Sequence, residues 1–216
     1  MSETIILDIN SPPVQHLYKK DKRLAKVISM VGPITYTTYA DDPYAFLIHE
    51  IIEQMLSIKS GATIYNKFIN LCNGRITPKV VNNLSFEEIK SIGTATSKVK
   101  FIKGLTEKII SGNLDLESLQ GLSDSDVQKS LMSIYGIGQW TSKMYLIFVL
   151  DRPDILPLDD VAFLQAYEWL YKTNNRNKDS IIKRCKKWKP YSSYAARFLY
   201  KALNSGLTKT EFHLYK

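Results

Sequence analysis

The chain has 216 residues, 44% apolar and 23% charged, a globular composition that excludes disordered and fibrous classes and fits one large domain or two small ones. Its two cysteines, Cys72 and Cys185, exclude a disulfide framework and a four-ligand iron–sulfur cluster. Against 21 acidic residues stand 29 Lys and Arg, a formal charge of +8, which favours a polyanionic partner without identifying one.

Met1-Ser2-Glu3 places an acid where a signal peptide carries basic residues. The longest apolar run, Met144–Leu150, is far short of the roughly 20 residues that span a bilayer. A soluble, intracellular protein is therefore expected. Strand-like alternation is weak and confined to Thr4–Ile9 and Ile34–Tyr39; the rest reads as helix. Asp42-Pro43 is an N-cap followed by proline at the first helical position, and Leu47, Ile51 and Met55 recur at a spacing of four, giving that helix one apolar face. Ser85 and Glu88 form a capping box, with Leu84 and Ile89 as its staple; Gly93 ends this short helix. Ile102, Leu105 and Ile109 mark the next helix, ended by Gly112. Ser123 opens another, whose buried face is Val127, Leu131 and Ile134. Gly136-Ile137-Gly138 interrupts before a helix that runs to Leu150. A loop with two prolines, Asp151–Leu158, leads to helices at about Asp159–Tyr171, Lys178–Trp188 and Tyr191–Leu203. Eight to ten short helices make an all-α class.

The segment Leu131–Ser142 is the most specific. Two glycines flank one apolar residue between amphipathic helices. Glycine lets the backbone turn tightly and approach another surface, and the helix that follows presents its N–H groups and positive dipole end, a site for one phosphate. Ile137 then plugs the turn into the core. A plain helix–helix turn with a glycine cap is the alternative reading.

This segment resembles the helix-hairpin-helix of the DNA glycosylase superfamily named after that motif and its Gly/Pro–Asp loop. Arg152–Asp160 resembles the superfamily's loop ending in a catalytic aspartate. Asp42–Ser57 resembles its helix ending in a Gln-rich minor-groove wedge. Ile92–Lys98 resembles its Gly-x-x-x-x-Lys turn, and Trp188–Ala195 a C-terminal segment of bacterial alkylpurine (3-methyladenine type II) glycosylases. The likeness runs in order over roughly residues 14 to 204. It implies an all-α fold of two helical subdomains with a cleft between them, one of about residues 45–155 holding the hairpin and one of about 1–44 plus 156–216.

The resemblance assigns catalysis to Asp160 and leaves Asp159 as the helix cap. A fixed carboxylate beside C1′ stabilises the oxocarbenium-like charge that builds as an N-glycosidic bond breaks; the alternative is that the pair Asp159-Asp160 merely caps a helix after a proline-rich loop. Related glycosylase/lyases carry a lysine at the position of Trp140, so the missing amine implies a hydrolytic, monofunctional enzyme. The Trp140 indole offers a face to a flipped cationic purine, unless it is a core residue. Tyr200 falls where alkylpurine enzymes carry a second pocket tryptophan; a core or rim position is its alternative. Gln54 and Met55 are the implied wedge, with a core Met55 as rival. Gly136, Ile137, Gly138 and Thr141 are the implied phosphate site. Lys98, Lys100 and Lys143 are nearby basic residues with no assigned contact, and Lys183–Lys189 reads as a solvated cationic helix. Ser192 stands where the superfamily segment carries arginine.

The implied activity is excision of alkylated purines of the 3-methyladenine and 7-methylguanine type in base excision repair. It needs no cofactor and no metal beyond a monovalent cation that hairpin carbonyls can hold. The partner is damaged double-stranded DNA, not a membrane, and the chain is expected to be a monomer in a bacterial cytoplasm or a nucleus. A same-fold glycosylase for an oxidised or mismatched base, and a non-catalytic helix-hairpin-helix DNA-binding protein, are the alternatives. His49-Glu50 begins like a zinc motif, but position 53 is Glu, and His16, His49 and His213 are dispersed.

Overall fold

The computed structural model describes residues 4–214. Among them are twelve α-helices and one antiparallel pair of strands, β1 (Thr4–Leu7) and β2 (Ile34–Thr37), in register Thr4 with Thr37 through Leu7 with Ile34. Among the described residues no helix is long and apolar enough to cross a membrane. The chain forms two compact units: Tyr39–Leu150, and the segment before it together with the chain from Asp151 onward.

The discontinuous unit holds the strand pair with α1 (Pro12–Lys20), α2 (Lys22–Val31), α10 (Val161–Tyr171), α11 (Lys178–Cys185) and α12 (Ser192–Asn204). α10 buries Phe163, Ala166, Tyr167 and Leu170 on one face, the spacing of an amphipathic helix. α12 is buried nearly all round, through Ala195, Ala196, Phe198, Leu199 and Ala202 as well as Ser192, Ser193 and Arg197, so it forms the centre of this unit. The continuous unit holds α3 (Pro43–Glu53), α4 (Ile58–Leu71), α5 (Pro78–Asn83), α6 (Phe86–Ser91), α7 (Thr96–Ile110), α8 (Asp124–Met132) and α9 (Gln139–Phe148). Here α9 is central, with Met144, Tyr145, Leu146 and Ile147 all buried.

Eight to ten helices were expected. The additional ones start at local caps that hydrophobic spacing does not reveal. Ser57 accepts from Ser60 N–H to open α4, and Thr77 accepts from Val80 N–H to open α5. Asp21 divides α1 from α2 by accepting from Arg23 and Leu24 N–H.

Asp21 also anchors the discontinuous unit. Its second oxygen accepts from Tyr171 O–H, from Trp188 Nε1 at 2.9 Å, and pairs with Lys187 Nζ at 3.1 Å. Burial opposes the charge on this carboxylate, but the Tyr171 and Trp188 hydrogen bonds and Lys187 outweigh it, holding its pKa below the ordinary value. A lowered pKa means the stabilisation is present above the ordinary carboxylate range and is lost as pH falls through the lowered value. Asp21→Asn keeps the α2 cap through its amide oxygen but sets an NH2, which cannot accept, against the Trp188 and Lys187 donors, and is expected to remove about 2–4 kcal/mol at neutral pH. Urea denaturation at neutral and acid pH checks this: the variant's deficit should shrink in acid.

Candidate active site

The hairpin lies between α8 and α9. Ile137 is buried, and its N–H donates to Ile134 O at 3.0 Å. Gly136 has φ 94°, and a Cβ there would lie 2.1 Å from Phe101 Cγ, so the turn lies against the Phe101 ring and only glycine fits. Tyr135, largely exposed, sets its ring edge-on to Phe101, centroids 5.0 Å apart. Gly138 is different: its φ is −106°, and a Cβ there would have nothing within 4 Å. It is the N-cap of α9 and supplies no side-chain cap. The first turn of α9 therefore presents its N–H groups beside an open backbone, a geometry suited to a phosphate oxygen.

Of the phosphate role implied for Thr141, the hydroxyl is turned away and the backbone N–H, on the first turn of α9, is the group that remains. Thr141 is 1% exposed, and its hydroxyl faces Gln54 Nε2 at 3.4 Å. The first turn of α9 rolls this side chain into the core. Two hairpin carbonyls are engaged within the protein: Ile134 O by Ile137 N–H and Gly136 O by Gln54 Nε2, both at 3.0 Å.

The paired wedge also divides. α3 ends at Glu53, so Met55 does not continue the Leu47–Ile51 face. It sits at φ 58° with its side chain fully exposed, which removes the core reading. Gln54 points the other way, its amide bonded to Gly136 O. Only Met55 projects. Lys98, at the start of α7, donates to Ile52 O at 2.7 Å and Gln54 O at 2.5 Å. Burial pulls its pKa down while Glu53 opposes that shift. Trp140, on the first turn of α9, is half-buried and not a core residue.

In the discontinuous unit, Asp160 is the N-cap of α10, with Oδ1 accepting from Phe163 N–H at 2.7 Å. The cap expected at Asp159 is thus one residue further on. Asp160 N–H bonds Pro157 O at 3.1 Å, and that turn gives Asp160 the capping position. Asp159 instead pairs with Lys178. Asp160 is 9% exposed. Tyr200, half-buried, packs against the core cluster of this unit.

The loop that delivers Asp160 is pinned by residues that sequence reasoning missed. Asp154 Oδ1 accepts from Ser192 Oγ at 2.5 Å and Ser192 N–H at 3.3 Å, and Lys189 Nζ lies 3.1 Å from Oδ2. Ser193 Oγ accepts from Ile155 N–H at 2.9 Å, and Ser193 N–H donates to Pro153 O at 2.9 Å. Arg197 Nη2 reaches Asp151 Oδ1 at 3.0 Å while its guanidinium lies 3.7 Å over the Tyr36 ring, and Tyr36 O–H donates to Asp151 at 3.0 Å. Asp151 itself has φ 47°. The serine at 192, a departure from the superfamily pattern, thus ties the loop to α12. The basic run is likewise less solvated than expected: Lys187 and Lys189 pair as above, and Arg184 lies 4.9 Å over Tyr171.

A family model described as HhH-GPD superfamily base excision DNA repair protein matches residues 48–190. The chain belongs to the HhH-GPD superfamily. Its hairpin and its Asp160 loop both lie within the matched span. This HhH-GPD chain is 29% identical over 205 residues to DNA-3-methyladenine glycosylase 1 of Schizosaccharomyces pombe, covering 92% of this chain and 90% of that protein. Its fold matches the crystal structure of DNA-3-methyladenine glycosidase from Bacillus halodurans with a TM-score of 0.84, 31% identity and 97% coverage of both chains. It also matches S. pombe 3-methyladenine DNA glycosylase (Mag1) in complex with abasic DNA, with a TM-score of 0.80, 27% identity, and coverage of 95% of this chain and 100% of that one.

Proposed function

We propose that this HhH-GPD chain is a monofunctional DNA glycosylase that flips an alkylated purine from duplex DNA and hydrolyses its N-glycosidic bond. The observation that carries this reading is Asp160: a carboxylate fixed by its bond to Phe163 N–H, at the end of a loop pinned from α12. Support comes from the likeness to 3-methyladenine glycosylases over nearly the whole chain.

The chemistry follows from charge. Methylation at N3 of adenine or N7 of guanine makes the base cationic, so it leaves as a neutral molecule without a general acid. The electrons of the C1′–N bond go to the base, and the sugar becomes oxocarbenium-like. A carboxylate whose orientation is set in advance stabilises that charge without reorganising as it forms. Water then adds to C1′ and releases a proton, giving an abasic site. Trp140 has no amine, so no Schiff base forms there. Gly138 and the α9 N-terminus take a backbone phosphate, and Met55 fills the gap left in the stack.

Trp140 supplies a face for the cationic base. Trp140→Ala is expected to lower kcat/KM for methylated DNA by about 10- to 30-fold, the loss of a desolvated cation–π contact, while undamaged duplex still binds. Steady-state kinetics on methylated duplex checks it.

Scission of a methylated duplex tests the whole reading. Strand breaks should appear only after hot alkali opens the abasic sites, and borohydride should trap no protein–DNA adduct. Breaks before alkali together with a trapped adduct would replace the hydrolytic reading by a lyase one. Absence of abasic sites altogether would remove the glycosylase reading.

A further inference from the structure

We infer that Lys98 and Gln54 are positioning residues that clamp Met55 in its DNA-inserting conformation and join it mechanically to the phosphate-gripping hairpin, an inference that rests on the wedge role given to Met55 above. Met55 combines two features that the fold does not require. Its backbone is left-handed, at φ 58°, where a side chain is strained. Its apolar side chain is fully exposed. Such a conformation persists only where its surroundings over-determine it.

The surroundings do so through three segments remote in sequence. The last carbonyls of α3 have no partner within the helix. Lys98 takes one of them, Ile52 O at 2.7 Å, and also the carbonyl of the C-cap residue, Gln54 O at 2.5 Å, so one ammonium closes the end of α3 and fixes the peptide that leads into Met55. A cation there also complements the negative end of the helix dipole. The Gln54 side chain then spans to the hairpin, bonding Gly136 O at 3.0 Å, with Thr141 Oγ1 at 3.4 Å. Gly136 cannot yield, because it lies against Phe101. Met55 is thus held from α7 through Lys98 and from the α8–α9 turn through Gln54. When the hairpin seats on a phosphate, Met55 arrives at a set place on the same duplex.

Preorganisation removes the ordering entropy that a loose turn would lose at insertion. A lysine used this way differs from one that contacts phosphate. Loss of a phosphate contact weakens binding across all sequences and reduces the salt slope by about one. Loss of the clamp leaves the salt slope intact and slows insertion.

The test uses the full chain and a duplex holding a tetrahydrofuran abasic analogue beside 2-aminopurine, whose fluorescence rises when it unstacks. Base release is not needed for this signal. Wild type should give the rise. Lys98→Met should bind with Kd changed by less than about threefold and an unchanged salt slope, but insert at least about tenfold more slowly. Gln54→Leu, which cuts only the hairpin link, should slow insertion too, and Lys98→Arg, which can still donate to both carbonyls, should recover most of the rate. Insertion at the wild-type rate in a folded Lys98→Met would overturn the clamp, as would a reduced salt slope with weakened binding. A fluorescence rise by wild type without base release from methylated DNA would reject the glycosylase reading while leaving the clamp supported; no rise by wild type would remove wedge and clamp together.

Discussion

Asp160→Asn is expected to lower the rate of base release from methylated DNA by about 10²–10³-fold, the magnitude that follows loss of one preorganised electrostatic partner of a transition state. The substitution separates two roles that meet in one side chain. Asp160 caps α10 through Oδ1 and Phe163 N–H. Asparagine caps helices as well as aspartate does, so the amide oxygen keeps that bond and Tm should move by no more than about 2 °C. The loop bonds from Ser192, Ser193 and Arg197 do not involve Asp160 and stay in place. What disappears is the negative charge that the proposed mechanism places beside the sugar. Removing an anion does not weaken binding to polyanionic DNA, so the loss belongs to the chemical step. Single-turnover rates at saturating enzyme measure that step alone. A rate within about threefold of wild type would leave Asp160 as a helix cap only.

The two hairpin glycines are expected to fail in different ways. Gly136→Ala should destabilise the protein by about 3–5 kcal/mol, because left-handed strain adds to a contact that neither partner can relieve. The new Cβ would sit 2.1 Å from Phe101 Cγ and 2.4 Å from Cδ2, and the Phe101 ring is itself set against Tyr135. Gly138→Ala, two residues on, meets nothing within 4 Å and needs no positive φ. Its stability should change by no more than about 0.5 kcal/mol, since alanine restricts the unfolded chain but is a poorer N-cap than glycine. DNA affinity should nevertheless fall by about tenfold, because the methyl keeps a phosphate oxygen from the backbone N–H groups of α9. Thermal denaturation and fluorescence anisotropy on the same two variants give both readings. Full DNA affinity in Gly138→Ala would place the phosphate elsewhere.

Much of this was legible in the sequence because the informative residues act locally. Ser85 and Glu88 predict a capping box from their spacing, and both of its bonds are present. Gly136-Ile137-Gly138 predicts a hairpin because only glycine tolerates what Gly136 must do. The failures are equally specific. Asp159 and Asp160 are chemically identical neighbours, and the turn from Pro157 decides which caps. Met55 continues a spacing of four on paper, but the helix stops at Glu53, and the ammonium that closes its end is on Lys98 in α7. Thr141 looks like a surface hydroxyl next to a phosphate site until the first turn of α9 rolls it inward. The Asp151, Arg197 and Tyr36 cluster has no sequence signal, since its members come from the loop, α12 and β2 and meet only after folding. Local chemistry is readable along the chain; the bonds that aim it are long-range.

Mass spectrometry of the free bases released from duplex DNA treated with a methylating agent decides whether the chain excises alkylated purines. 3-Methyladenine and 7-methylguanine should appear above the level of spontaneous loss, released without strand scission. Neither base appearing, while the protein demonstrably binds the same duplex, would contradict that activity.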